Sequence, residues 1–96
     1  VAVTVVGFDF SDRFQAEIAG LDPQIQKAAK DALELLQKNP SARSLRLHPL
    51  KDYAKPTIWK IDVFTNKSHQ ITFELISNIA HLKRIATHSE IDRAPR

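Results

Sequence analysis

All four histidines of this 96-residue chain, His48, His69, His81 and His88, fall within residues 43–96. Residues 43–96 also hold ten of the fourteen basic side chains against five acidic ones, a net of +5. Residues 1–42 hold four basic and six acidic side chains, a net of −2. An imidazole titrates at about pH 6.5 and can take or give a proton at neutral pH. Lys and Arg nearby would supply charge to a phosphodiester, and a basic half-chain suits a polyanionic partner through counterion release. An ordinary solvated surface can carry the same charge, so charge alone leaves both readings open. There is no cysteine, which excludes disulfides and thiolate metal sites. No HExxH or close histidine pair offers a metal site either. The available chemistry is that of acids, bases and fixed positive charge, with no metal or cofactor called for.

Such side chains need a scaffold. At 43% hydrophobic residues the chain supports one compact domain, residues 1–96. The apolar run Val1 to Val6 is too short for a membrane span and has no basic start; it reads as a strand over Val3 to Phe8. A cysteine-free chain without a membrane segment suits a reducing interior, so a cytoplasmic location is expected. Ser11 or Asp9 can cap a helix carrying Phe10, Phe14 and Ile18 and ending at Gly20. Asp22-Pro23 starts a second helix, whose stripe is Ile25, Ala28, Ala29, Ala32, Leu35 and Leu36. Asn39-Pro40 stops it.

Ser41 to Pro56 reads as a polar, proline-punctuated crossing. Beyond it the period switches to alternation: Trp59, Ile61 and Val63 share one face of a strand, Lys60 and Asp62 the other. Thr65 to Ser68 makes a turn into His69 to Ile76, where Ile71, Phe73 and Leu75 oppose Gln70, Thr72 and Glu74. Ser77-Asn78 turns into a last strand, Ile79 to Ala86. The expected fold is α+β and two-layered, in the order β-α-α-β-β-β, with a helical hairpin on one face of a small antiparallel sheet. The other face is expected to stay open.

Three pieces, in this order, resemble RelE/ParE toxins: LRLHPLKDY (Leu45 to Tyr53), the strand pair WKIDVF and HQITFEL, and KRIATHSEI (Lys83 to Ile91). The HPL and R-x-A-T-H elements look closest to the YafQ-like branch. The resemblance implies a RelE-like fold and the toxin of a type II toxin–antitoxin system, a metal-independent mRNA endoribonuclease acting on the ribosome. Its implied partners are a cognate antitoxin, the ribosome and mRNA, with no membrane. The working residues it implies are His48, Asp62, Arg84 and His88. The chain departs from the pattern at Ala86, where glycine is usual, at Phe64 and Gln70, where relatives often carry His or Arg, and at His69 and Asp92.

RNA carries its own nucleophile, the 2′-hydroxyl. Cleavage needs a base for its proton, charge for the crowded phosphate and an acid for the leaving 5′-oxygen. His48 and His88 are expected to share the proton transfers, with Asp62 orienting one of them or acting as base. Arg84 would clamp phosphate through two donors, and Lys51, Lys60 and Lys83 would add point charge. Structural roles compete: His88 sits where a final short helix could be capped, and Asp62 could pair with Lys60. Arg84 shares parity with Leu82, so only a bulge would turn it to the open face. Two other functions stay open, a ParE-like DNA gyrase inhibitor that acts by binding and a weakened toxin kept for antitoxin binding.

Overall fold

The computed structural model describes residues 3–54, 56–64, 66 and 68–96, the side chains of residues 51–54 excepted. Ser11 caps the first helix, α1 (Asp12–Ala19), by accepting from the Phe14 amide at 3.1 Å. Its hydroxyl donates to the Lys83 carbonyl at 3.1 Å, so one serine starts the helix and fastens it to the sheet. Pro23 occupies the first turn of α2 (Pro23–Lys38), where a missing N–H costs nothing. Ala29, Ala32, Leu33 and Leu36 are the buried side of α2. Ile25, Ala28 and Leu35 of the expected stripe lie at its half-buried margin.

Five strands form one sheet in the order β1-β5-β4-β3-β2. They are β1 (Gly7–Phe10), β2 (His48–Ala54), β3 (Thr57–Asp62), β4 (His69–Ile76) and β5 (Ile79–Thr87). β1 joins the edge beside β5 in parallel, and the other pairings are antiparallel. The α+β reading of a helical hairpin on a small, mostly antiparallel sheet holds, and two of the strands differ from expectation. Part of the segment read as a crossing is the edge strand β2, entered through a 3₁₀ turn at Arg43–Leu45 and the left-handed residue Arg46. Its pairing is irregular between Pro49 and Ala54, and an edge position tolerates the missing proline N–H; neither feature leaves an alternating signature. The first strand begins at Gly7 rather than Val3, although Val5 is buried and the Val6 amide still donates to the Asn78 carbonyl at 2.8 Å.

Ser77 and Asn78 both have positive φ, 50° and 65°, the twist of a two-residue hairpin turn. The Thr65 to Ser68 turn falls partly outside the described residues. Phe14, Ala29, Leu33, Leu36 and Leu45 pack against Ile61, Ile71, Phe73, Leu82 and Ile85 to form the core. Each large apolar side chain buried there contributes about 1.5–3 kcal/mol.

The register of β4 on β5 slips between Thr72↔Arg84 and Phe73↔Leu82, so Lys83 is an extra residue. That bulge reverses parity along β5. Leu82 before it and Ile85 after it both face the core, and Arg84 turns to the opposite face beside Thr72.

That opposite face is not open. A third helix, α3 (His88–Arg93), and residues 94–96 lie across it. Thr72 donates to the Pro95 carbonyl at 2.6 Å, and Ile91 is fully buried. Lys60, Asp62, Gln70, Thr72 and Arg84 are each 6% exposed or less. Helix α3 is held by a capping box, in which the Thr87 side chain accepts from the Glu90 amide and Glu90 reaches back to the Thr87 amide. No helix among the described residues is long and apolar enough to cross a membrane.

Candidate active site

Strand register arranges the polar face in rows, because paired residues point the same way. His48, Lys60, Thr72 and Arg84 form one row across β2, β3, β4 and β5. The next row holds Asp62, Gln70 and Ala86. Three strand spacings, ~14 Å between backbones, separate His48 and Arg84 at the two ends of the first row.

Around Asp62, two other expected residues, His88 and Lys60, converge with Gln70, Asp92 and Arg46. Gln70 donates its amide Nε2 to Asp62 Oδ1 at 2.9 Å. Gln70 Oε1 lies 3.2 Å from His88 Nδ1, and His88 Nδ1 lies 3.5 Å from Asp92 Oδ2. Asp92 Oδ1 is 3.9 Å from Lys60 Nζ. On the other side, Arg46 Nη1 stands 3.5 Å from Asp62 Oδ2. That oxygen is buried and makes no hydrogen bond, so Asp62 is held by charge on one side and by an amide on the other. A buried carboxylate oxygen left without a donor is costly. It is what a polar ligand or water entering the face would satisfy.

The two imidazoles are posed alike. His48 Nδ1 is hydrogen-bonded to the Arg46 carbonyl; a carbonyl only accepts, so in the neutral ring Nδ1 carries the proton and Nε2 the lone pair. The Gln70 oxygen imposes the same form on His88, whose side chain is 54% exposed. His48 and His88 do not touch. The strand carrying His48 and the strand whose Gln70 anchors the His88 ring are two spacings apart, roughly 10 Å between backbones.

Arg84 departs from its expected use. Its Nε donates to both oxygens of Glu17 on α1, Oε2 at 3.0 Å, and Nη2 also donates to Glu17. Nη1 donates to the carbonyls of Ala94 at 2.9 Å and Glu90 at 3.4 Å. The hydrogen bond to Glu17 raises the Arg84 pKa above its ordinary value against the opposing pull of burial. Instead of offering a fork to phosphate, Arg84 ties α1, β5 and α3 together. Lys83 faces Glu74 at 3.8 Å, away from His88, and the Lys51 side chain lies outside the described residues. His81 pairs with Asp9 at 3.0 Å and His69 lies 3.3 Å from Ser68 Oγ, both apart from the cluster.

Arg46, Gln70 and Asp92 were not expected in the site. Gln70 and Asp92 stood out in the sequence only as departures from a pattern. Arg46 gave no signal, because its reach over Asp62 depends on the left-handed turn into β2. No group of three or more His, Cys, Asp or Glu among the described residues could hold a metal ion.

No protein-family model matches the chain, and neither does any curated protein. Solved structures do. YafQ from E. coli strain BL21(DE3) aligns over 88% of this chain and 94% of its own, with a TM-score of 0.66 at 17% identity. A YoeB/ParE toxin from Agrobacterium tumefaciens covers 86% of this chain and 99% of its own, with a TM-score of 0.69 at 11% identity. The fold is that of the RelE/ParE toxins. The RelB–RelE antitoxin–toxin complex from Methanococcus jannaschii extends the likeness, with a TM-score of 0.60 at 19% identity over 88% of this chain and 95% of the matched one. At these identities the likeness is one of architecture. In this RelE/ParE fold, the Asp62–Gln70–His88 cluster lies on the sheet face opposite α1 and α2.

Proposed function

We propose that the chain is the toxin of a type II toxin–antitoxin pair and cleaves mRNA on the ribosome as a metal-independent endoribonuclease. One observation carries the reading: two imidazoles on one sheet face each have Nδ1 occupied and Nε2 free among the described residues, and one of them is linked through Gln70 to the buried Asp62 carboxylate. A free Nε2 can take the 2′-hydroxyl proton while the 2′-oxygen bonds to phosphorus. The phosphorus–O5′ bond then breaks, and the second imidazole, protonated, gives its proton to the departing oxygen. The products are a 2′,3′-cyclic phosphate and a 5′-hydroxyl, so atoms and charge balance without a metal or cofactor.

His48 and His88 carry the proton transfers and Asp62 orients the second through Gln70. Lys60 and Arg46 supply positive charge to the phosphate, with Lys51 adding to the approach; Lys83, paired with Glu74, takes no part. Arg84 keeps a place in the site as the tie that holds α3, and so His88, over the sheet. A cognate antitoxin, the ribosome and mRNA are the partners, and the cytoplasm is the place of action. The antitoxin is supported by the fold shared with a toxin found in an antitoxin complex and by the +5 charge of residues 43–96, which suits an acidic partner.

The test is incubation with translating ribosomes and mapping of mRNA ends. We expect codon-phased cuts, reduced about 10²- to 10⁴-fold in His88→Ala and His48→Ala. Uncut mRNA with inhibited gyrase supercoiling would point instead to a toxin that acts by binding alone.

A further inference from the structure

We propose that Gln70 is the positioning residue of this site, a buried amide that links Asp62 to His88 and fixes which nitrogen of His88 meets the substrate. The direction of each hydrogen bond follows from its neighbours. A carboxylate oxygen only accepts, so the amide nitrogen faces Asp62 Oδ1 at 2.9 Å. The amide oxygen is thereby turned toward His88, 3.2 Å from Nδ1. An amide oxygen also only accepts, so Nδ1 must carry the proton and Nε2 must present its lone pair. Free histidine favours the opposite tautomer in water, so the protein has to enforce this one.

Gln70 can enforce it because it cannot turn. It is 2% exposed on β4, with Asp62 and Ala86 as its register partners on either side. Its β5 partner Ala86 carries only a methyl group on the face that α3 covers. The other groups around the His88 ring are weaker anchors. Asp92 Oδ2 is 3.5 Å away and 56% exposed, and it also faces Lys60; Arg46 faces Asp62 and not the ring. The arrangement resembles a buried acid orienting a catalytic histidine, with an amide between the charge and the ring. The interposed amide sets the tautomer while keeping the Asp62 charge one side chain away from the imidazole.

The kinetic side of this inference rests on the cleavage reading; the structural side does not. Nitrogen NMR of histidine-labelled full-length chain, without RNA, reads the tautomer of each ring. In the wild type, neutral His88 should carry its proton on Nδ1. In Gln70→Leu it should change to the Nε2-protonated form, while Asp92→Ala leaves the tautomer unchanged. A wild-type ring protonated on Nε2, or a Gln70→Leu ring still protonated on Nδ1, overturns the proposal. If Gln70→Leu fails to fold, Asp62→Asn/Gln70→Glu decides. That pair reverses the first bond and moves the charge next to the ring, so Nδ1 should stay protonated and the His88 titration midpoint should move up; an unmoved midpoint overturns the proposal. In the cleavage assay Gln70→Leu should lower kcat on the order of 10-fold with KM retained, less than removal of the imidazole itself. A wild-type chain with the expected tautomer but no cleavage would sink the nuclease reading and leave Gln70 in its role.

Discussion

Arg84 at one end of the polar face and Asp62 near the other are almost equally buried, 5% and 2% exposed, and they are built in opposite ways. Every Arg84 nitrogen donates, to Glu17 or to the carbonyls of Glu90 and Ala94. Asp62 keeps one oxygen without a hydrogen bond, faced at 3.5 Å by an Arg46 side chain that is 49% exposed. Burial therefore does not separate scaffold from site on this face; saturation does. A filled set of donors locks elements together. An unfilled acceptor beside an exposed cation and two half-free imidazoles is a place where a ligand gains more than the protein loses.

The largest expected effect comes from breaking the saturated end. Arg84→Ala strands Glu17 and frees two carbonyls of the C-terminal segment, and should cost about 3–5 kcal/mol in urea unfolding. A loss under about 1 kcal/mol would show that the fork is not structural. The other end should behave differently. Asp62→Asn keeps the shape and the acceptor toward Gln70 while removing a poorly satisfied charge, so stability should stay within about 1 kcal/mol. Ribosome-dependent cleavage should fall in the same variant, which separates its role from that of Arg84.

Smaller effects test the helix that joins the two ends. Thr87→Ala removes the N-cap of α3 and should cost about 1 kcal/mol, with the loss of order read at the His88 and Ile91 amides by hydrogen exchange. The Glu90 carboxyl is held below its usual pKa, first by the Thr87 hydroxyl, then by the Thr87 amide, with help from Arg84 and Arg93. A depressed folded-state pKa gives stability that is fully present above the ordinary carboxylate range and is lost as pH falls through the lowered value. Acidification should therefore fray α3, seen in its amide signals, and Glu90→Gln should flatten that part of the profile while leaving neutral pH little changed.

Local rules placed most of the scaffold. Ser11 and Gly20 bound α1, Pro23 and Asn39 bound α2, and the alternation of Trp59 to Val63 and Ile71 to Leu75 marked β3 and β4 with the correct inward side. The site was only half legible. His48, Asp62 and His88 were singled out by a short resemblance, and they do share one face. β2 was hidden because an irregular edge strand that opens on His48-Pro49 shows no period.

The residues that matter most to the Asp62 site, Arg46, Gln70 and Asp92, interact with partners 16, 8 and 18, or 32 and 4, positions away. The sequence by itself determined which segments bury an apolar side, because 3.6- and 2-residue periods are properties of neighbouring residues. Only the tertiary structure decided that a single extra residue, Lys83, turns Arg84 away from the core, and that α3 folds back over the polar face to bring His88 to Gln70. Those outcomes depend on register and on contacts between distant parts of the chain, which no local period encodes.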